Sequence, residues 1–174
     1  FKTEPYAHQL KALGASHNKE NFALFMEMGT GKSKVLVDNI AMLYDKGKIN
    51  AALIIAPKGV YRNWERQEIP IHMPDHIVHN VVTWSPATTK KQQNENLKLF
   101  KHGEQLTIFL MNIEAFSTVK GLDIAKRFLL AHQTLMAIDE STTIKSPTAR
   151  RTKNVVKLRN YAKYRRILTG SPVT

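Results

Sequence analysis

The feature that most restricts the fold is a regular alternation of short apolar runs with longer helix-like segments along the 174 residues. Several runs, such as 51–56, are apolar at every position, which is typical of strands that are buried on both faces. Alternation of such strands with helices predicts an α/β fold, in which helices flank a mostly parallel sheet. The predicted strands are 22–25, 51–56, 77–83, 106–111, 135–138 and 166–169.

The segments between these strands have the residue pattern of helices, with predicted bounds of 5–16, 32–46, 60–68, 87–102, 122–131 and 147–161. Pro70, Pro74 and Pro86 mark the most irregular stretch, and the polar segment 90–96 is interpreted as an exposed helix. Ligands of parallel sheets bind beyond the carboxyl ends of the strands. The polar motifs that follow predicted strands are therefore the candidates for a functional site.

Composition narrows the class of protein. The hydrophobic fraction of 43% is ordinary for a folded domain, and no apolar run approaches the roughly 20 residues that cross a bilayer. The first residues lack the pattern of a secretory signal. The absence of cysteine excludes disulfides and cysteine-ligated zinc. We expect an intracellular protein, cytoplasmic or nuclear and not secreted, that does not contact a membrane.

Net charge points to a polyanionic partner. Lys and Arg total 26 against 14 Asp and Glu, which gives a formal charge of +12. Nucleic acid is the commonest partner of such a basic chain, and the alternative is a solvated basic surface. The densest basic run leaves the same two readings open, as a nucleic-acid contact or a solvated helix face; it comprises Arg150, Arg151, Lys153, Lys157, Arg159, Lys163, Arg165 and Arg166.

A glycine-rich segment joins the first predicted strand to the helix that begins near Lys32. Its sequence, Glu-Met-Gly-Thr-Gly-Lys-Ser over 27–33, would let backbone N–H groups converge on one anion at the positive end of the helix dipole. Lys32 would then contact the terminal phosphates of a nucleotide, and Ser33 would offer a hydroxyl to magnesium. Met26 stands where the usual pattern has a further glycine. The alternative is a glycine turn that only caps a helix.

Two acidic residues, Asp139 and Glu140, follow the apolar run 135–138 directly. Adjacent carboxylates at a strand end are often merely solvated. With a phosphate-binding loop upstream, however, Asp139 is expected to hold magnesium, and Glu140 is expected to orient and deprotonate the attacking water.

These motifs, together with Gln9 and Leu-Thr-Gly-Ser-Pro over 168–172, occur in the order found in superfamily 2 helicase-like motors. The sequence most resembles the Swi/Snf-type ATPases, whose Asp-Glu-Met-Gly-x-Gly-Lys-Thr is similar to Met-Glu-Met-Gly-Thr-Gly-Lys-Ser over 26–33. Ile144-Lys145 also follow the acidic pair as in that family. Ser141-Thr142 depart from the family's Ala-His, which puts one coupling contact in doubt.

The resemblance implies a RecA-like three-layer fold, with 1–174 as the first of two lobes and the second lobe absent from this chain. It implies ATP and magnesium as cofactors and hydrolysis of ATP through Lys32, Asp139 and Glu140. The cofactor would contact Gln9, at the adenine edge, and the loop residues Met28, Gly29, Thr30, Gly31, Lys32 and Ser33.

The resemblance also implies two sets of residues that serve the motor rather than the nucleotide. Thr169, Gly170 and Ser171 would connect the nucleotide state to the second lobe. Lys58, Arg62, Asn63 and Asn112 would contact the nucleic-acid backbone, while Trp64 is expected in the core.

The function that follows is a double-stranded DNA translocase driven by ATP. A single lobe is expected to turn over little ATP, because the second lobe would supply an arginine for hydrolysis. The alternatives left open are another superfamily 2 motor, such as a restriction-type translocase or an RNA helicase, a small-molecule kinase with a phosphate loop, and a nucleic-acid-binding module without activity.

Overall fold

The computed structural model describes residues 1–16, 18–25, 31–87, 89–139 and 150–169. Six strands form one sheet: β1 (Asn21–Phe25), β2 (Ala51–Ala56), β3 (His79–Thr83), β4 (Leu106–Asn112), β5 (Thr134–Asp139) and β6 (Tyr164–Thr169). Their order across the sheet is β1-β6-β5-β2-β4-β3, and every neighbouring pair is parallel. The predicted parallel α/β fold is therefore confirmed.

Strands β2 and β4 lie in the interior of the sheet and are buried along their whole length. Alternate side chains of β2 point to opposite faces, so that Ala52 and Ile54 join one hydrophobic cluster while Leu53 and Ile55 join the other. The two clusters cover the two faces of the sheet. This arrangement explains why these strands are apolar at every position, and it makes the fold three layers thick.

Helices cover both faces of the sheet. They are α1 (Ala7–Ser16), α2 (Lys32–Asp45), α3 (Tyr61–Asn63), α4 (Ile69–His72), α5 (Lys90–Leu97), α6 (Val119–Ala131) and α7 (Arg150–Leu158). Buried residues of α2 belong to the first cluster, and those of α6 and α7 belong to the second. No helix in the described ranges is long and apolar enough to span a membrane.

One helical stretch is longer than the sequence predicts. Helix α3, a π-helical turn (Trp64–Glu68) and α4 follow one another without a break, and together they are called the 61–72 helix below. The prediction ended at residue 68 and assigned Pro70 to an irregular stretch, which is wrong. The amide of Ile69 bonds the carbonyl of Trp64, five residues back, so the turn before Pro70 is widened. Pro70 then lies in the first turn of α4, where a missing amide donor is tolerated.

Two other helices begin where a side-chain cap fixes them. Helix α5 starts after Thr89, whose hydroxyl accepts from the amide of Gln92, so it is shorter than the predicted 87–102. It has no buried residue, which confirms the prediction of an exposed helix. Helix α6 starts after Thr118, whose hydroxyl accepts from the amide of Gly121. These caps satisfy amides that have no partner inside the helix.

Candidate functional site

The carboxyl ends of all six strands lie along one edge of the sheet, because every pair is parallel. In register, Phe25 lies beside Thr169, Asp139 beside Leu168, and Ala56 beside Asn112. The segments that follow β1, β2, β4, β5 and β6 therefore start close together. The structure thus brings the described parts of the predicted motifs to a single edge.

Gly31 ends the glycine-rich segment in a conformation that only glycine adopts easily. Its φ is 79°, in the left-handed region, and it directly precedes α2. A Cβ at this position would also collide with the side-chain amide nitrogen of Gln9. The backbone angle therefore favours glycine at residue 31, and a larger residue would also have to displace the end of the Gln9 side chain.

Lys32 and Asp139 face each other with charges of opposite sign. The Lys32 Nζ lies 3.7 Å from Asp139 Oδ1, and the side chains are only 14% and 6% exposed. Neither atom has a hydrogen-bond partner among the described residues. A buried charge without hydrogen bonds is costly, so this pair is suited to a ligand that brings both negative and positive charge. A phosphate group with a bound magnesium ion fits these donors.

The other oxygen of Asp139 is held by an indole. Trp64 Nε1 donates to Asp139 Oδ2 at 3.3 Å, and Trp64 is 1% exposed. Trp64 lies in the core, as the sequence predicts, but this bond was not predicted. No local signal reveals it, because it depends on the packing of the 61–72 helix beside the end of β5.

A second acidic side chain on the same helix lies near Asp139. Burial raises the pKa of Glu68 above its ordinary value, and the negative charge of Asp139 raises it further. Glu68 is also 3.5 Å from His72 Nε2. Burial lowers the pKa of His72, and the positive charge of Lys34 lowers it further. The carboxylate of Asp139 thus lies in surroundings that are poorly solvated.

Gln9 adjoins the start of α2. Its amide nitrogen donates to the Gly31 carbonyl at 3.2 Å, and its amide oxygen accepts from the Tyr6 backbone at 2.7 Å. The side chain is 4% exposed. The structure therefore places Gln9 beside the predicted phosphate loop, with both ends of its amide bonded to the backbone.

The amino-terminal segment is tied to α2 by a buried ion pair. Lys34 Nζ donates to Asp38 Oδ2 at 2.8 Å and to the Thr3 carbonyl at 2.7 Å. The segment that leads into Gln9 is thereby fixed against the helix that begins at Lys32. Sequence reasoning missed this pair, which has the i, i+4 spacing of a helical ion pair.

A groove of about 410 Å³ lies at the same edge, beyond β2 and β4. Lys58 and Arg62 line it and are exposed. Asn112 lines it too, although its side chain is buried and accepts from the Ala115 amide at 3.0 Å as the cap of the turn Ile113–Ser117. Asn63 is half-buried and does not line the groove. Three of the four predicted nucleic-acid residues therefore share one surface.

The dense basic run contains five exposed cations, the half-buried Arg151 and Arg165, and one core residue. Arg166 is 1% exposed, and its Nε donates to Asn39 Oδ1 at 2.8 Å. Burial lowers its pKa to about 10. Arg166 is therefore part of the core, and the interpretation of the whole run as a nucleic-acid contact or a solvated face is wrong at this position.

Several predicted site residues lie outside the described ranges, namely Met28, Gly29, Thr30, Glu140, Gly170 and Ser171. Ser33 is the second residue of α2 and is half-buried. Thr169 ends β6 and pairs in register with Phe25, so the predicted coupling segment begins beside the predicted phosphate loop.

Comparison with solved structures finds the same fold in an ATPase core, a helicase and a restriction-modification enzyme. The SWI2/SNF2 ATPase core of Sulfolobus solfataricus in complex with dsDNA has a TM-score of 0.70 and 21% identity, over 98% of this chain and 33% of that one. The UvsW helicase from bacteriophage T4 has a TM-score of 0.65 and 15% identity, over 97% and 53%. The Type ISP restriction-modification enzyme LlaGI, solved with a DNA substrate mimic, has a TM-score of 0.63 and 14% identity, over 99% and 18%.

These likenesses confirm the RecA-like α/β fold, and they show that the chain spans about a third of the length of the Sulfolobus core. Comparison with curated protein sequences gives no significant match. A family model, the SNF2-related domain, matches residues 8–174, which is nearly the whole sequence. The match confirms the resemblance to Swi/Snf-type ATPases, and the chain belongs to the SNF2-related domain family.

Proposed function

We propose that this chain is the first ATP-binding lobe of a nucleic-acid-dependent ATPase motor that moves along double-stranded DNA. The observation that carries the proposal is the pair formed by Lys32 and Asp139, which face each other across 3.7 Å at the carboxyl edge of the sheet. Each presents a buried charged atom that has no hydrogen-bond partner in the described part of the chain. A nucleotide phosphate with its metal ion would satisfy both atoms.

In this proposal different residues contact the phosphates, the magnesium ion and the adenine of the nucleotide. Lys32 contacts the terminal phosphates, while Ser33 and Asp139 hold the magnesium ion, which would neutralise the charge that develops on the phosphates. Gln9 reads the adenine edge by exchanging its bond to the Gly31 carbonyl for bonds to the base. Glu140 orients the attacking water and accepts its proton. The loop residues Met28, Gly29, Thr30 and Gly31 supply backbone amides.

Nucleic acid would bind along the groove beside this site. Lys58 and Arg62 carry exposed positive charge at its wall, and the whole chain has a formal charge of +12. Asn112 lines the groove and would add a polar contact to the sugar-phosphate backbone, whereas Asn63 does not line it. A motor must tolerate any sequence, and contacts to phosphate carry no sequence information. The Sulfolobus and LlaGI structures contain DNA or a mimic of it, which favours DNA over RNA as the partner here.

Hydrolysis in this proposal depends on a second RecA-like lobe in the complete motor. An arginine supplied to the γ-phosphate contributes roughly 10³–10⁵ in rate. Thr169, Gly170 and Ser171 would meet that lobe, since β6 ends beside β1 and the predicted phosphate loop. This chain alone would then bind nucleotide but turn it over slowly.

The test has two stages. The chain is first titrated with a fluorescent ATP analogue in magnesium and in EDTA, where tighter binding in magnesium is expected. ATP hydrolysis by the protein that contains both lobes is then measured with duplex DNA, RNA and no polymer. Stimulation by duplex DNA alone supports the proposal, stimulation by RNA alone indicates an RNA helicase, and phosphate transfer to a small metabolite would indicate a kinase.

A further inference from the structure

The 61–72 helix contacts both parts of the site. Arg62 lines the groove and is exposed, while Trp64 is buried and bonded to Asp139. Residues two apart in a helix point roughly 200° away from each other, so the two side chains leave the helix on opposite sides. One short element therefore separates the groove from the carboxylate at the end of β5.

The two oxygens of Asp139 have different surroundings. Oδ2 accepts from the Trp64 indole at 3.3 Å, whereas Oδ1 faces Lys32 Nζ and has no hydrogen-bond partner among the described residues. An indole N–H is a donor only, so it cannot itself bind a cation. The bond therefore fixes the rotation of the carboxylate and leaves Oδ1 as the oxygen directed at the ligand space.

The indole is held firmly enough to serve this purpose. Trp64 belongs to the hydrophobic cluster on the face of the sheet covered by α2. It is also the first residue of the π-helical turn and its carbonyl accepts from the amide of Ile69. Turns of this kind are rare and often occur at functional sites. Since both the ring and the backbone are packed, the N–H cannot move without moving the helix.

We infer that Trp64 is a positioning residue for the magnesium ion, because it orients the Asp139 carboxylate so that Oδ1 is presented beside Lys32. The inference rests on the proposed function, which makes Asp139 a magnesium ligand. Partners that hold a ligating carboxylate typically change metal affinity or activity by about 10–100-fold when they are removed. Trp64 should therefore affect the magnesium-dependent part of nucleotide binding and leave the magnesium-independent part unchanged.

The decisive variant removes the N–H and keeps the ring. Benzothienylalanine, in which sulfur replaces the indole nitrogen, is incorporated at position 64 and compared with Trp64→Phe. Binding of a fluorescent ATP analogue is titrated against magnesium concentration and repeated in EDTA. Both variants should need about 10–100-fold more magnesium than the wild type, with unchanged binding in EDTA.

A matched control separates positioning from general loss of packing. Phe128→Leu truncates a fully buried ring in the cluster on the other face of the sheet, away from Asp139. It should lower the melting temperature, as Trp64→Phe should, without changing the magnesium requirement. A magnesium requirement that rises equally in Phe128→Leu would overturn the inference, since any loss of packing would then suffice.

The two hypotheses fail in different ways. If the wild type gains affinity with magnesium and the benzothienylalanine chain gains it at the same magnesium concentration, the role of Trp64 is refuted and the proposed function stands. Weaker binding of that chain in EDTA as well would also refute it, because the ring would then serve the nucleotide pocket as a whole. If the wild type gains nothing from magnesium, the proposed function fails first.

Discussion

The proposed nucleotide site at Lys32 and Asp139, called the nucleotide side below, and the groove at Lys58 and Arg62, called the groove side, lie at the same edge of the sheet but differ in the exposure of their charges. On the nucleotide side, Lys32 and Asp139 are almost fully buried and face each other without a hydrogen bond between them. On the groove side, Lys58 and Arg62 are exposed to solvent around an open space of about 410 Å³. The first place holds a buried pair of opposite charges, and the second holds exposed charges, namely Lys58, Arg62 and the acidic Glu114.

The difference indicates two kinds of recognition. Buried charges are barely screened and costly to leave unpaired, so a ligand must match them in both sign and geometry. Exposed cations are screened by salt, so they attract any polyanion and tolerate its movement. The first kind suits the proposed nucleotide, and the second suits the proposed nucleic acid.

The largest expected effect is on the nucleotide side. Lys32→Ala should weaken binding of an ATP analogue by about 100-fold or more, because it removes the ammonium group that is proposed to contact the terminal phosphates. The melting temperature should stay close to that of the wild type, since Trp64 still bonds Asp139. Isothermal titration and thermal melting measure the two quantities. Equal binding by the variant, or a much lower melting temperature, would mean that Lys32 has no nucleotide role or a structural one.

The next effect distinguishes the groove from the basic surface as a whole. Replacing Lys58 and Arg62 together by Ala should reduce the slope of log affinity for duplex DNA against log salt by about 1.8, as expected when two phosphate contacts are lost. Nucleotide binding should not change. A salt titration with labelled duplex gives the slope.

The control for that experiment is a second double variant that loses the same two positive charges at another place. Lys46 and Lys48 are exposed and precede β2, at the opposite edge of the sheet. Their double replacement by Ala should leave the slope near that of the wild type. An equal reduction of the slope in both double variants would show that DNA binding depends on the total charge of the chain and that the groove is not a binding site.

A smaller effect tests whether Asn112 serves the fold, the groove or both. Its side chain caps the turn Ile113–Ser117, so Asn112→Ala should cost about 1 kcal/mol of stability in denaturant unfolding. Asn112→Asp keeps the capping oxygen but adds negative charge at the groove, and it should retain stability while weakening duplex binding. If Asn112→Asp binds duplex as tightly as the wild type, the groove does not contact phosphate at this position.

The smallest effect concerns His132, which lies neither at the proposed nucleotide site nor in the groove. Burial lowers the pKa of His132, although its bond to the Leu99 carbonyl opposes this and nearby His102 adds to it. The unfolded chain then takes up a proton at a higher pH than the folded chain, so stability is present above pH 6.5 and falls as the pH drops below it. In His132→Gln the stability should therefore fall less as the pH is lowered, and melting temperatures from about pH 7.5 to 5.5 measure this. A loss of equal size in the variant would leave His72, whose pKa is also lowered, as the main cause.

The sequence predicts most of the fold because its strongest signals are local. Residues 51–56 coincide with β2, and the apolar pattern of the other runs places every strand to within a few residues. The order of motifs predicts that Lys32 and Asp139 meet, because the ends of parallel strands share an edge. These inferences need only residue type, periodicity and the rule for parallel sheets.

The features that were missed depend on contacts between distant segments or on an atypical local signal. Trp64 and Asp139 are 75 residues apart, and nothing in either neighbourhood indicates their bond. Pro70 suggests a helix end, which the π-helical turn avoids. Arg166 belongs to the dense basic run, and the predicted strand 166–169 is too short to show the alternation of buried positions. Extending the strand back to Tyr164 gives buried residues at 164, 166 and 168, which would have identified Arg166 as core.

The strand order has a consequence for how the protein is made. Within the described sheet, β1 has a single neighbour, β6, and residue 21 pairs with residue 165. The strand that leads into the predicted phosphate loop is synthesised before its neighbour, since their paired residues Asn21 and Arg165 are 144 residues apart in the chain. At about 5–20 residues per second, β1 waits roughly 7–30 s for its neighbour to be synthesised. During that interval its amide and carbonyl groups are open to pairing with other chains. Nascent chains that stop short of β6 should therefore leave both edges of β1 without a partner strand.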